Sequence, residues 1–209
     1  MTRIKQLIAT YPELDTCASD IQSAFEALRT CYRSGGKVLT CGNGGSAADA
    51  EHIVGELMKG YLLKRPVPDE MRARLMSITS QDGDYLGTHL QGGLPAISLV
   101  SQTALLSAIA NDTAADMVYA QQVYAYGRNG DVLIGISTSG NARNVIHAMQ
   151  VARALGLHTV GLTGPTGGAL KALCTVCICV PTESTPSIQE RHLPIFHVLC
   201  AMLEEEFFV

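Results

Sequence analysis

KVLTCGNGGSAADAEHIVGEL (residues 37–57) and DVLIGISTSGNARNVIHAM (residues 131–149) follow one plan. Each opens on an apolar run, turns through a loop of small and amide residues, and continues with apolar residues at helical spacing. Runs that are apolar on successive residues, not alternating ones, mark strands covered on both faces, as in a parallel sheet. Similar runs recur at 95–100 (PAISLV), 158–163 (HTVGLT) and 175–180 (TVCICV). Helical stretches lie between and after them, at 47–63, 103–126, 141–155, 168–172 and 188–208. Strands alternating with helices imply right-handed crossovers. The expectation is an α/β fold, a doubly wound five-stranded parallel sheet with helices on both faces.

Two segments stand outside this alternation. Residues 1–33 place Ile4, Leu7 and Ile8, then Ile21, Phe25, Leu28 and Tyr32 at helical spacing. Tyr11-Pro12 interrupts them, which predicts two helices in an N-terminal extension. Residues 64–93 are polar, weakly periodic and rich in turn formers, and too long for an ordinary connection. They read as an insertion: a lid, an interface arm or a partly ordered excursion. The 209 residues otherwise read as a single domain, 1–209.

Composition narrows the function classes. A hydrophobic share of 47% supplies a core and excludes disorder. The formal net charge is −4 and no basic tract is present, which argues against a nucleic-acid partner. No apolar run approaches the roughly 20 residues that span a bilayer, and the polar N-terminus has no signal-peptide pattern. A cytoplasmic location is therefore expected. Seven cysteines, with Cys41, Cys177 and Cys179 inside strand-like runs, read as small buried thiols in a reducing compartment. Cys174-Thr-Val-Cys177 has redox-motif spacing but opens a β-branched run, and reads as core.

Chemistry concentrates where strands end. Gly42-Asn43-Gly44-Gly45-Ser46 follows the first strand, and Ser137-Thr138-Ser139-Gly140-Asn141 follows the third. Each loop offers backbone N–H groups, small polar side chains and a helix N-terminus, a combination suited to a compact anion. One such loop is more often an ordinary helix cap with turn glycines. Two at strand ends point to a ligand. Neither matches GxxxxGK[ST] or GxGxxG, and neither holds a lysine for a polyphosphate, so a phosphomonoester fits better than a nucleotide.

A second constellation lies farther along the helices. His52 and Glu56 are four apart, about 40° around one helix face. Gln189 and His197 are eight apart on the C-terminal helix, about 80° around its axis, with His192 between them. An i, i+4 His/Glu pair is often plain surface pairing, and His89, His147 and His158 are assigned to such ordinary roles. If His52, Glu56, Gln189 and His197 converge, they form either a divalent-metal set, zinc first, or a proton-transfer pair. Spacing permits both.

CGNGGSAADAEH (41–52), LLSAIAND (105–112), GDVLIGISTSGN (130–141), HTVGLTGPTGG (158–168) and SIQERH (187–192) with His197 closely resemble sugar isomerase (SIS) domains, and within them the phosphoheptose isomerases. The resemblance covers about residue 20 to the C-terminus, apart from 64–93. It implies an aldose–ketose isomerase that interconverts sedoheptulose 7-phosphate and glycero-manno-heptose 7-phosphate through an enediolate. It further implies a homotetramer with active sites shared between subunits, and one zinc per subunit on His52, Glu56, Gln189 and His197. Asn43, Gly44, Gly45, Ser46, Asn111, Asp112, Ser137, Thr138, Ser139 and Gln189 fall on substrate-binding positions, Glu56 on the catalytic base and His197 on its acid partner. The sequence departs from the pattern at Ala142, usually serine, at Gly60, usually arginine, and at Pro186. Two other readings remain open: a non-catalytic SIS module that binds a sugar phosphate or a replication initiator, and an isomerase of a smaller ketose phosphate.

Overall fold

The computed structural model describes residues 2–209; Met1 lies outside the described residues. The N-terminal extension folds as α1 (Arg3–Thr10), a 3-10 helix at Pro12–Cys17 and α2 (Ala18–Arg33), with Tyr11-Pro12 separating the pieces as expected. Next come β1 (Val38–Gly42) and α3 (Gly45–Met58). Residues 64–93 hold two short helices, α4 (Asp69–Ile78) and α5 (Gly83–His89). They pack chiefly on each other, and α4 buries no residue. The chain returns through β2 (Ala96–Ser98) to α6 (Thr103–Asp112), a 3-10 turn at Ala115–Met117 and α7 (Ala120–Tyr126). β3 (Val132–Ser137), α8 (Arg143–Ala154), β4 (His158–Thr163), a 3-10 helix at Gly168–Leu173, β5 (Val176–Cys179) and α9 (Thr185–Phe208) complete it.

Two expected helices come out shorter or broken. The stretch 47–63 ends at Met58, because Glu204 on α9 accepts the N–H groups of Tyr61, Leu62 and Leu63 and holds them off the helix. The stretch 103–126 divides at Thr113, so its periodicity comes from two helices and a turn.

All five strands are parallel, in the order β2-β1-β3-β4-β5. Successive residues serve opposite faces of the sheet. Val38, Val132, Ile134, Val160 and Ile178 join a core with α1, α2, α3 and α9, whereas Leu39, Cys41 and Leu133 join a core with α7 and α8. Each such buried aliphatic contributes about 1.5–3 kcal/mol. Gly135 brings α8 close: a Cβ there would lie 2.5 Å from Met149 and 2.9 Å from Val145. The strand order reverses direction between β1 and β3, which are neighbours in register from Val38↔Val132 to Gly42↔Ile136. In open α/β sheets that reversal opens a crevice at the carboxyl ends of the strands. Both polar loops sit there.

Candidate active site

The crevice is built from two uncapped helix ends. Gly44 is the N-cap of α3, at φ 57°, and Ala142 that of α8; neither provides a side-chain cap. In those first turns the Ser46 and Ala47 N–H groups turn to the Asn43 and Gly44 carbonyls and that of Val145 to Asn144 Oδ1, which leaves the N–H groups of Gly45, Arg143 and Asn144 for an anion, and both helix dipoles favour one. Gly140, at φ 67°, closes the second loop, where a Cβ would stand 2.0 Å from the Gly167 carbonyl oxygen. The resulting cleft has a volume of about 400 Å³. Asn43, Gly44, Gly45, Ser46, Ser137, Thr138 and Ser139 line it, with Ala142 below and Thr185 and Gln189 from α9 closing the wall.

Two residues unmarked in the sequence hold this cleft in shape. Asn43 and Asn144 exchange amide hydrogen bonds in both directions, each 2.9 Å. Tyr119 donates its hydroxyl proton to the Gly42 carbonyl at 2.5 Å and lies 3.3 Å from Asn43 Oδ1. Asn144 could have been suspected as a polar residue in the first turn after the loop. Tyr119 could not, being 77 residues from Gly42 and 76 from Asn43.

α3 runs from the cleft alongside α9, and two turns along it stands the second constellation. His52 Nε2 lies 3.2 Å from Glu56 Oε1 and 3.3 Å from His197 Nε2. A hydrogen on His52 Nε2 serves one contact or the other, so the tautomer decides which of the two is the hydrogen bond. Glu56 Oε2 is buried and accepts no hydrogen bond, with Lys59 Nζ 3.7 Å away. His197 titrates below the ordinary histidine range, first because burial disfavours its charge and next because His52 faces it; Glu56 opposes the shift. Asp49, one turn nearer the cleft on α3, was not singled out by sequence. Its Oδ2 is buried without a partner, and burial pushes its carboxyl up to about 6 against the pull of His52.

The far end of α3 is anchored by Arg65. Its Nη2 donates to the Glu56 carbonyl at 3.0 Å and its Nη1 to that of Leu57 at 2.8 Å, while Nε pairs with Glu204 at 2.7 Å. The guanidinium also covers the Phe208 ring, 4.6 Å from its centroid.

Gln189 sits with the cleft rather than with the histidines. A Cβ on Gly45 would come within 2.5 Å of its Nε2, and eight residues of helix rise place it about 12 Å along the axis from His197. Asn111 and Asp112 end α6, where Asn111 donates to Asp112 at 2.8 Å; both are exposed and neither lines the cleft. Among the described residues, no three or more His, Cys, Asp or Glu side chains form a ready-made metal cage. No helix among them is long and apolar enough to cross a membrane.

The model of the SIS domain family matches residues 4–86 and 88–164. The phosphoheptose isomerase of Aneurinibacillus thermoaerophilus is 41% identical over 177 residues, covering 85% of this chain and 76% of that protein. That of Rhodospirillum rubrum is 40% identical over 192 residues, covering 92% and 88%. The solved phosphoheptose isomerase of Neisseria gonorrhoeae superposes with a TM-score of 0.71 at 33% identity, covering 95% of this chain and 98% of that one.

Proposed function

The chain belongs to the phosphoheptose isomerases of the SIS domain family and is a sugar-phosphate isomerase, and from that premise we propose that it interconverts sedoheptulose 7-phosphate and D-glycero-D-manno-heptose 7-phosphate. The observation that carries this reading is Glu56. One of its carboxylate oxygens is held by His52, while the other is buried, unpartnered and free to take a proton. Glu56 removes the proton from the carbon beside the carbonyl and returns it to the neighbouring carbon. His197, whose charged form is disfavoured by burial, moves protons on the two oxygens as the enediolate forms and collapses.

The phosphate is assigned to the N–H groups of α3 and α8, with Asn43, Ser46, Ser137, Thr138 and Ser139 completing its shell. From Gly45 to His52 the helix rises about 10 Å, a separation that favours a seven-carbon over a five-carbon chain between phosphate and carbonyl. Ala142 removes a hydroxyl from the floor of the cleft without closing it.

Zinc, one per subunit, is the cofactor we assign. His52 stands between Glu56 Oε1 and His197, and Glu56 Oε2 has no hydrogen-bond partner; imidazole nitrogens with a carboxylate are a fitting borderline donor set. His52, Glu56 and His197 would hold the ion, with Gln189 as the fourth donor. When bound it supplies Lewis-acid polarisation of the sugar oxygens.

A homotetramer is also proposed. α6 is largely apolar, yet Ile109 is its one buried residue, so its exposed face calls for a covering subunit. That subunit would receive Asn111 and Asp112 at its own cleft. A cytoplasmic location accompanies these assignments. The test is an NMR assay of the purified protein with sedoheptulose 7-phosphate, with and without zinc. Aldose formation is expected, and Glu56→Gln should lower turnover about 10²–10⁴-fold. No aldose under either condition, or near-native turnover in Glu56→Gln, overturns the reading.

A further inference from the structure

A cavity of about 610 Å³, larger than the ligand cleft, opens along β5 at the free edge of the sheet. Cys174, Cys177 and Cys179 line it together with Lys171 and Asp20. The structure corrects the expectation that these cysteines are inert core: all three are half-buried, whereas Cys17, Cys31, Cys41 and Cys200 are fully buried. Only every second residue of β5 turns inward, which leaves Cys177 and Cys179 on the face toward the 3-10 helix.

The register explains how two thiols fit. Gly161 on β4 pairs with Cys177, and its missing side chain leaves a gap that both Cys174 and Cys177 fill. A Cβ there would lie 2.7 Å from Cys174 Sγ and 3.2 Å from Cys177 Sγ. Cys179 Sγ lies 3.7 Å from Cys177 Sγ, and Thr163 Oγ1 is 3.6 Å from Cys177 and 3.4 Å from Cys179. These groups stabilise one thiolate in particular. The Cys177 thiol is held below the ordinary range, first by the neighbouring Cys174 thiol, which also lies 3.3 Å from the Leu170 carbonyl, with Thr163, Cys179 and Lys171 adding to it and burial opposing. Burial instead raises Cys17 and Cys31 to about 11, and Cys41 and Cys200 to about 12. Thiolate character together with access is what makes a cysteine reactive.

We infer that Cys174 and Cys177 form a dithiol that hydrogen peroxide oxidises to a disulfide. The Cys177 thiolate attacks one peroxide oxygen, the O–O bond breaks, and the departing oxygen leaves as water after protonation. Cys177 is then a sulfenic acid. Cys174 attacks that sulfur and gives up its proton, the S–S bond forms, the S–O bond breaks, and a second water leaves. Peroxide gains the two electrons that the two thiols lose. Cys174 is the resolving partner, not Cys179. Residues two apart on an extended strand hold their Cα atoms about 6.6 Å apart, near the upper limit for a disulfide, with side chains parallel.

The test treats the reduced full-length protein with hydrogen peroxide, alkylates the remaining thiols and digests with trypsin. Cleavage after Lys171 and Arg191 releases all three cysteines in one peptide. The expected peptide is lighter by two hydrogens and carries a single alkyl group, on Cys179. Cys174→Ser should stop at a Cys177 sulfenic acid that dimedone traps, and Cys179→Ser should form the disulfide at the parent rate. Cys177→Ser should lose thiols at least tenfold more slowly. A bond through Cys179, a peptide that stays fully alkylated, or parent-like thiol loss in Cys177→Ser overturns the inference. The Cys174 and Cys179 variants decide it if Cys177→Ser does not fold.

Discussion

Glu204→Gln tests how the structure fixes the catalytic end of α3. Arg65 and Glu204 pair at 2.7 Å with their side chains 0% and 1% exposed. Removing the carboxylate charge leaves the guanidinium buried without its counter-ion, a loss of about 3–5 kcal/mol. For a chain of this length each kcal/mol lowers Tm by about 2–4 °C, so a drop of roughly 6–20 °C follows. Pairs of this kind can often be replaced by apolar residues at little cost. This one differs, because Glu204 also accepts the N–H groups of Tyr61, Leu62 and Leu63 at 2.7–3.0 Å. Arg65→Met with Glu204→Leu would strand those three donors, each costing about 1–3 kcal/mol where it stays buried. The double variant should therefore be no more stable than Glu204→Gln. Burial raises the Glu204 pKa, but the N–H groups of Tyr61 and Leu62 and then Arg65 outweigh it, so the net shift is downward. Its stabilisation is thus complete above about 4.5 and fades as pH falls through the lower folded-state value. Thermal melts give the Tm and urea unfolding gives the free energies, both followed by circular dichroism across the pH range. A Glu204→Gln protein within about 1 kcal/mol of the parent, or a double variant restored to it, would refute the argument.

Three further outcomes are expected. His192 is fully buried, with Nδ1 unpartnered and Nε2 3.3 Å from the Thr163 carbonyl, and burial lowers its pKa to about 4. Between 6.5 and 4 the unfolded chain binds the extra proton, so about 3 kcal/mol of stability present above 6.5 is lost by pH 4. His192→Gln should flatten that limb of a stability–pH curve, and an unchanged limb would contradict it. Gly140→Ala forces both a left-handed backbone and a Cβ against the Gly167 carbonyl, so a loss of at least about 2 kcal/mol and of substrate binding is expected by thermal melting and calorimetry. Asn144→Ala removes the double amide bridge to Asn43, and steady-state kinetics should show KM raised about tenfold with kcat within about twofold.

The strands were legible because burial on both faces writes an apolar run that needs no distant information. The loops were legible for a similar reason: glycine, serine and asparagine at a strand end state their own backbone freedom and hydrogen-bonding capacity. Helix ends fared worse. α3 stops at Met58 because a carboxylate nearly 150 residues away captures the following N–H groups, and no local signal announces Glu204. CTVC reads as core from sequence because its β-branched surroundings look like any core strand. Only the edge position of β5 and the gap over Gly161 make those thiols reachable.

The sequence by itself determined the α/β class, the two anion-seeking loops, and the His/Glu spacing on one helix, since each depends on residues within a few turns of one another. Tertiary structure alone decided that β1 and β3 are neighbours, and hence that the two loops form one cleft. It also set His197 against His52 and Gln189 against Gly45, because the packing of α9 along α3 joins segments some 145 residues apart. Local periodicity records which face of an element is buried. It carries no record of what buries it.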